Sequence, residues 1–265
     1  TARMKTIREA LSRALKDELR KSRDQSSLLS KTGYKVHPSK IWKATHLNRQ
    51  DVMVKKVNTS PGGWHVDVWI DSSGSMAWNT QSAREMLWIL IGALRDAGMS
   101  VRAFSWFCDG HWTLIKKLHE AGDTLEEQVN QYEPDGDNRD GFVLRIAHHM
   151  LKQVQAPYKL LVWISDGLPA NSSFLAGEFG GEVDYVFERN PKVRADMVMQ
   201  VRTIKKDTPM IAFLLDHGHA NQKENARMIY GREFIHVDLN KEDGMLYIPN
   251  AVKLYLTRLM MEQRG

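Results

Sequence analysis

Short apolar runs keep returning in this chain, and stretches of helical period keep separating them. Val66-Asp67-Val68-Trp69-Ile70 precedes a helical pattern over 79–97, carried by Ala83, Met86, Leu87, Ile89, Leu90 and Leu94. Val101 to Phe107 is the next run, followed after an interval by a helical stretch at 141–154 and a run from Lys159 to Ser165. A helix at 192–206, a run from Pro209 to Asp216, a helix at 221–230, a run from Glu233 to Asp238 and a closing helix at 249–263 complete the series. Runs of that length read as buried strands, and parallel neighbours need a helical crossover between them. The expectation is α/β: a Rossmann-like, doubly wound, mostly parallel sheet flanked by helices. Gly110 gives a turn after the second strand, so that Trp112 to Leu118 can return as a hairpin.

The N-terminal part differs in kind. Residues 1–56 carry 15 Lys/Arg against 5 Asp/Glu, while residues 57–265 carry 22 against 27. The net charge of +5 is thus a basic segment joined to an acidic domain. Residues 2–23 have helical spacing, residues 25–40 read as polar loop, and 51–56 as a short strand. Pro61-Gly62-Gly63 punctuates before the main domain. The division expected is a basic N-terminal extension, 1–60, and a domain over 61–265. A basic helix of this kind is expected to dock on an acidic face of its own protein or on a partner. Nucleic-acid binding is the other reading, although no RNA-binding or helix-turn-helix signature supports it.

Cys108 is the only cysteine, so the chain forms no internal disulfide. No apolar run reaches the roughly 18 residues of a membrane span, and no signal peptide is visible. These features together lead to an expected cytoplasmic location. The chain enters a charged helical pattern directly at Thr1, as a piece of a longer protein would.

Chemistry concentrates at the ends of strands. Asp71-Ser72-Ser73-Gly74-Ser75 leaves the first buried strand with one carboxylate and two hydroxyls spaced D-x-S-x-S. Such hard oxygen donors suit Mg²⁺, with Mn²⁺ or Ca²⁺ as alternatives. Ligands of open α/β sheets also bind just past the carboxyl ends of strands. The competing reading is a strand-to-helix turn in which Ser73 or Ser75 caps the following helix. Two further segments fall at the same sheet edge: Asp137-Asn138-Arg139-Asp140-Gly141 before a helix, and Ser165-Asp166-Gly167-Leu168-Pro169 after a strand. Trp78 and Trp112 lie near that edge and could frame a docking surface. Trp69, Trp106 and Trp163, inside strands, are expected in the core. The Asp216-His217-Gly218-His219 loop lacks a third spaced ligand group. Of His148 and His149, one is expected packed and the other exposed. Cys108, near His111, reads as structural rather than nucleophilic. There is no H-E-x-x-H, phosphate loop or nucleophile elbow.

With those residues in place, residues 64–264 resemble the von Willebrand factor A domain family. Its metal-ion-dependent adhesion site (MIDAS) joins a D-x-S-x-S loop, a Thr on a second loop and an Asp on a third. Asp71, Ser73 and Ser75 match the first loop and Asp166 the third. No Thr precedes the 141–154 helix, where Asp137, Asn138 and Asp140 are the available oxygens, and Asp140 is expected near the metal. Asn138-Arg139-Asp140-Gly141 and Ile164-Ser165-Asp166-Gly167 resemble the C-terminal domain of the cobaltochelatase CobT family and its NorD-like and CbbO-like relatives. The stretch Lys40–Lys56 and the segments around Asp216 and Phe234 look similar too. That resemblance implies a non-enzymatic metal-dependent adaptor of a MoxR-type AAA+ ATPase, binding a target that presents Asp or Glu to the ion. The alternative function is Mg²⁺-dependent phosphotransfer or hydrolysis by Asp71, Asp140 and Asp166.

Overall fold

The computed structural model describes residues 2–25, 27–30, 35–36, 53–56, 63–109, 112–120, 122–169, 191–216, 218, 221–231, 234–239 and 244–262. The central sheet has six strands: β4 (Trp64–Asp71), β5 (Ser100–Asp109), β6 (Trp112–His119), β7 (Tyr158–Ser165), β8 (Met210–Asp216) and β9 (Phe234–Asp238). Their order is β6-β5-β4-β7-β8-β9, and every neighbouring pair is parallel except the β5–β6 hairpin. The α/β doubly wound expectation therefore holds. Because β5 and β7 lie on opposite sides of β4, the chain reverses its winding direction there. The carboxyl end of β4 is the switch point of the fold.

Alternation along each strand feeds two cores. Val66, Val68 and Ile70 of β4 face a core shared with α1 (Ala2–Gln25), α2 (Thr80–Asp96), α3 (Leu125–Asn130) and α7 (Ile248–Glu262). Trp69 faces the opposite core, built with α4 (Asp140–Gln153), α5 (Pro191–Asp207) and α6 (Gln222–Tyr230). Trp69, Trp106 and Trp163 are wholly buried, as expected. They cluster from three adjacent strands: the Trp106 and Trp163 rings stack with centroids 4.1 Å apart, and Trp69 lies tilted against Trp106 at 6.3 Å. Such offset indole pairs add about 0.5–1.5 kcal/mol beyond their area.

Two parts of the sequence reading need correction. Residues 27–30 and 35–36 are not loop: they form β1 and β2, both antiparallel to β3 (Met53–Lys56) in a small separate sheet. Those strands are four, two and four residues long. Pieces so short lack enough alternation to register as strands, and pairing between distant segments supplies their order. The helix α3 was also missed, being only six residues long. Residues 170–190, within a stretch (167–191) that reads in sequence as a long irregular connection containing Gly177, Gly180 and Gly181, lie outside the described residues, as do His111, His217, His219 and most of Lys40–Lys56.

The amino ends of β4 and β5 carry a closed ionic network. Asp67 is wholly buried, yet Arg102 grips it through two bonds of 2.7 and 2.9 Å and His65 Nε2 lies 2.8 Å away. Burial alone would raise the Asp67 pKa, but the hydrogen bonds from His65 and Arg102 and the Arg102 charge hold it below the usual carboxylate value.

His119 closes β6 under different conditions. It is 1% exposed, and neither ring nitrogen has a hydrogen-bond partner. Burial, reinforced by the Arg95 charge, lowers its pKa. An unfolded histidine takes up its proton near pH 6.5, which the folded one resists, so unfolding takes up protons. Stability is therefore full above about pH 6.5 and falls as the pH drops below it. A His119→Leu chain should lose part of that acid sensitivity, measured as the shift in urea midpoint between pH 7.5 and 5.5. Identical shifts in the two chains would exclude His119 as the source.

Candidate functional site

Asp71 ends β4 beside Trp106 of β5, and the backbone turns immediately into a 3-10 helix over Gly74–Asn79. The Asp71 carboxylate is wholly buried. Its Oδ1 accepts the Ser73 N–H at 2.8 Å, an Asx-type turn that folds the loop over its own carboxylate. Ser73 stands in the N-cap position of the 3-10 helix but makes no side-chain cap bond. Its hydroxyl lies 3.0 Å from the hydroxyl of half-buried Ser75. The capping reading of Ser73 therefore fails, and the two hydroxyls meet each other next to Asp71.

A second loop locks this arrangement. Asn138 donates its amide to Asp71 Oδ2 at 3.1 Å and to the Leu168 carbonyl at 3.2 Å, tying the first and third loops together. Tyr132, fully buried, donates its hydroxyl to the Asp71 carbonyl at 2.7 Å. Gly74 N–H donates to the Gly136 carbonyl at 2.7 Å, and Cys108 and Asp137 exchange both backbone bonds. Asp137 itself is exposed and contributes its backbone. Asp140 is the first residue of α4 rather than its cap, and its Oδ1 accepts the Trp106 indole N–H at 3.3 Å.

The third loop follows β7. Asp166 is wholly buried and its Oδ1 accepts the Leu168 N–H at 2.9 Å. Gly167 turns with φ +74, where a Cβ would meet Leu214 Cδ1 at 2.6 Å. Its carbonyl accepts the Asn225 amide of α6 at 3.2 Å.

Electrostatics shows that the three carboxylates share one environment. The Asp71 pKa is raised to about 7, first by burial and then by the Asp166 charge, which the bonds from Ser73 and Asn138 only partly offset. Asp140 is pushed well above the ordinary value by burial and then by the charges of Asp71 and Asp166. A buried cluster of like charges is stabilised by a cation or by protons. The donor set of carboxylates and hydroxyls is that of a hard divalent ion. Among the described residues no group of three or more His, Cys, Asp or Glu side chains closes into a metal cage. A bound ion would thus depend on the serine hydroxyls as well as on carboxylates, and the residues present fit that requirement.

Around the site, Trp78 is 87% exposed in the 3-10 turn and Trp112 is 76% exposed at the start of β6. Cys108 is buried, 3.4 Å from the Thr113 hydroxyl, and burial raises its thiol pKa. Asp216 pairs with His236 at 2.6 Å. His148 is buried against Asp207 at 2.8 Å, whereas His149 is exposed. Sequence reasoning missed Tyr132, Gly136 and the clasp made by Asn138. Pro134-Asp135-Gly136 was the signal available, a turn tripeptide directly before a polar segment.

No family model matches the chain in sequence, and no curated protein does. Solved structures do resemble it. The D319A mutant of the PilB minor pilin from Streptococcus sanguinis matches at 16% identity and a TM-score of 0.54, over 78% of this chain and 65% of that one. The pilus adhesin SpaC from Lactobacillus rhamnosus GG matches at 15% and 0.53, over 77% and 31%. The chain thus spans less than two thirds of either relative. At these identities the likeness speaks for the fold alone. The vWF domain of the type V pili tip protein Mfa5 from Porphyromonas gingivalis is more distant, with a TM-score of 0.47 at 12% identity over 77% of this chain and 95% of that one. The fold class is α/β, a mostly parallel six-stranded sheet between helices, and it is the fold that the first two of these structures share with the chain.

Proposed function

We propose that the chain is a metal-dependent protein-interaction module rather than an enzyme. The observation that carries this is the Ser73–Ser75 hydroxyl pair, free of any capping role and set beside a buried carboxylate. Asp71, Ser73 and Ser75 would hold the ion, Mg²⁺ or another hard divalent cation. Asp166 and Asp140 would add negative charge from the second and third loops. When bound, such an ion supplies positive charge at the surface, which a partner's Asp or Glu can meet. Two unit charges about 4 Å apart interact by roughly 4 kcal/mol at an effective dielectric near 20, enough to make partner binding depend on the metal. Trp78 and Trp112, large and exposed, are suited to anchor the rim of that contact.

The resemblance to the CobT, NorD and CbbO group supports a MoxR-type AAA+ ATPase in the cytoplasm as the proposed partner, for which this chain would present a target to be remodelled, activated or metallated. No described helix is long and apolar enough to cross a membrane. The test is copurification with that ATPase and its target, with Mg²⁺ and with chelator. Wild-type chain is expected to retain target only with Mg²⁺, and Asp71→Ala to lose it in both conditions. Equal retention by both chains, with or without metal, would overturn the reading. Turnover of phosphate esters that disappears in Asp166→Asn would favour the hydrolytic alternative.

A further inference from the structure

β6 forms one edge of the central sheet, and among the described residues no strand pairs with its outer side. Edge strands present alternate backbone N–H and C=O groups outward, and proteins usually protect them by shortness, charge or cover. β6 is eight residues long, and its exposed side chains are not all charged. Trp112 is 76% exposed and Leu114 is 47% exposed, with exposed Lys116 next in the same alternation. These three project to the same side of the sheet, since they pair with Asp109, Phe107 and Ser105 of β5.

We propose that this edge binds a second copy of the chain, β6 against β6, antiparallel and centred on Leu114. A two-fold axis normal to the sheet keeps each side chain on its own face, so opposing residues must have the same parity. Centring on Leu114 sets Leu114 against its own copy and Trp112 against Lys116. On the other face it sets Thr113 against Ile115. Lys116 Nζ reaches back to the Gln131 carbonyl of its own chain at 2.7 Å, leaving its methylene stem to lie against the opposing indole. Lys117 is paired with Glu120, so its charge is locally balanced. Centring on Lys116 would oppose two lysines, which disfavours that register. The Leu114 register is the one in which the exposed stripe complements itself, as a closed two-fold interface requires.

A single strand pair with two indoles lies at the small end of stable interfaces, so dimer should grow across the micromolar range. Sedimentation velocity at increasing concentration reads this directly. Leu114→Lys, which opposes two like charges, should keep the chain monomeric while leaving its circular dichroism unchanged. Oxidative cross-linking tests the register, because directly opposed strand residues lie within disulfide reach. Leu114→Cys should link to itself roughly tenfold faster than Trp112→Cys, through the effective concentration set by pairing. A chain that stays monomeric throughout, or equal cross-linking of the two variants, overturns the proposal. So does protection of β6 amides by an extended segment of another protein bound to monomeric chain. Asp71→Ala should dimerise like wild type, which keeps this result separate from the metal reading.

Discussion

A chain lacking residues 1–25 is expected to lose cooperative folding. Those residues are basic and, by composition, could pass for a detachable arm. In the fold, α1 lies against α2 and α7, and Ile7, Leu11, Leu15 and Leu19 are all buried in the main core. Burying each such side chain contributes about 1.5–3 kcal/mol, so four together come to roughly 6–12 kcal/mol as an upper estimate. Whole domains have only about 5–15 kcal/mol of net stability. Arg8 adds a specific dock: two bonds to Asp96 of 2.9 and 3.1 Å, with its guanidinium 4.7 Å from the Trp88 ring centroid. Leu11→Ala alone should cost about 2–5 kcal/mol, since no side chain is better enclosed. The measurement is thermal unfolding followed by circular dichroism. A truncated chain that melts as sharply and as high as the full chain would show that α1 is a dispensable appendage.

Gly136→Ala should disable the site through the backbone alone. Gly136 sits at φ +58, and a Cβ there would lie 2.2 Å from the Cys108 carbonyl oxygen. The left-handed conformation costs a residue with a Cβ about 1–2 kcal/mol. The overlap adds more, because backbone sits on both sides of it. Relief requires the 131–138 loop to lift, breaking the Gly74–Gly136 bond and the Cys108–Asp137 exchange. Asn138 would then leave Asp71. The expected result is a loss of about 3 kcal/mol or more together with loss of the proposed Mg²⁺ binding, read by urea unfolding and calorimetric titration. Gly231→Ala is the control. Its φ is +74, but nothing lies within 4 Å of the added Cβ. With ψ −134 it lies outside the left-handed α region, in backbone that residues with a Cβ rarely adopt, so the change should cost about 1–3 kcal/mol and leave the proposed Mg²⁺ binding intact. If the two variants behave alike, the close approach at Cys108 has no bearing on the site.

Much of the fold was legible because burial on both faces writes itself into composition. Leu160-Leu161-Val162-Trp163-Ile164 has no polar residue, and its strand is covered by helices on both sides. Helix α2 announced itself through Ala83, Met86, Leu87, Ile89, Leu90 and Leu94 at helical spacing, all of them buried. The small β1–β3 sheet did not, because its strands are too short to show a period. Trp78 and Trp112 were legible only as large side chains near a loop. Whether they were core or surface depended on what covered them, and nothing does to any great extent.

The site divides along the same line. Local sequence specified the Asp71–Ser75 loop and the Asp166-Gly167 turn, because an Asx-type turn needs only its own residues two positions on. Strand order specified that both loops end at the same sheet edge. What sequence could not specify was the middle loop. Tyr132 and Asn138 reach Asp71 from 61 and 67 residues away, through bonds that no local pattern encodes. Long-range packing also put Asp140 under the Trp106 indole and within the field of Asp71 and Asp166. The chemical character of each residue was in the chain from the start; the shared low-dielectric environment that raises the Asp71 and Asp140 pKa values exists only once the loops have closed over them.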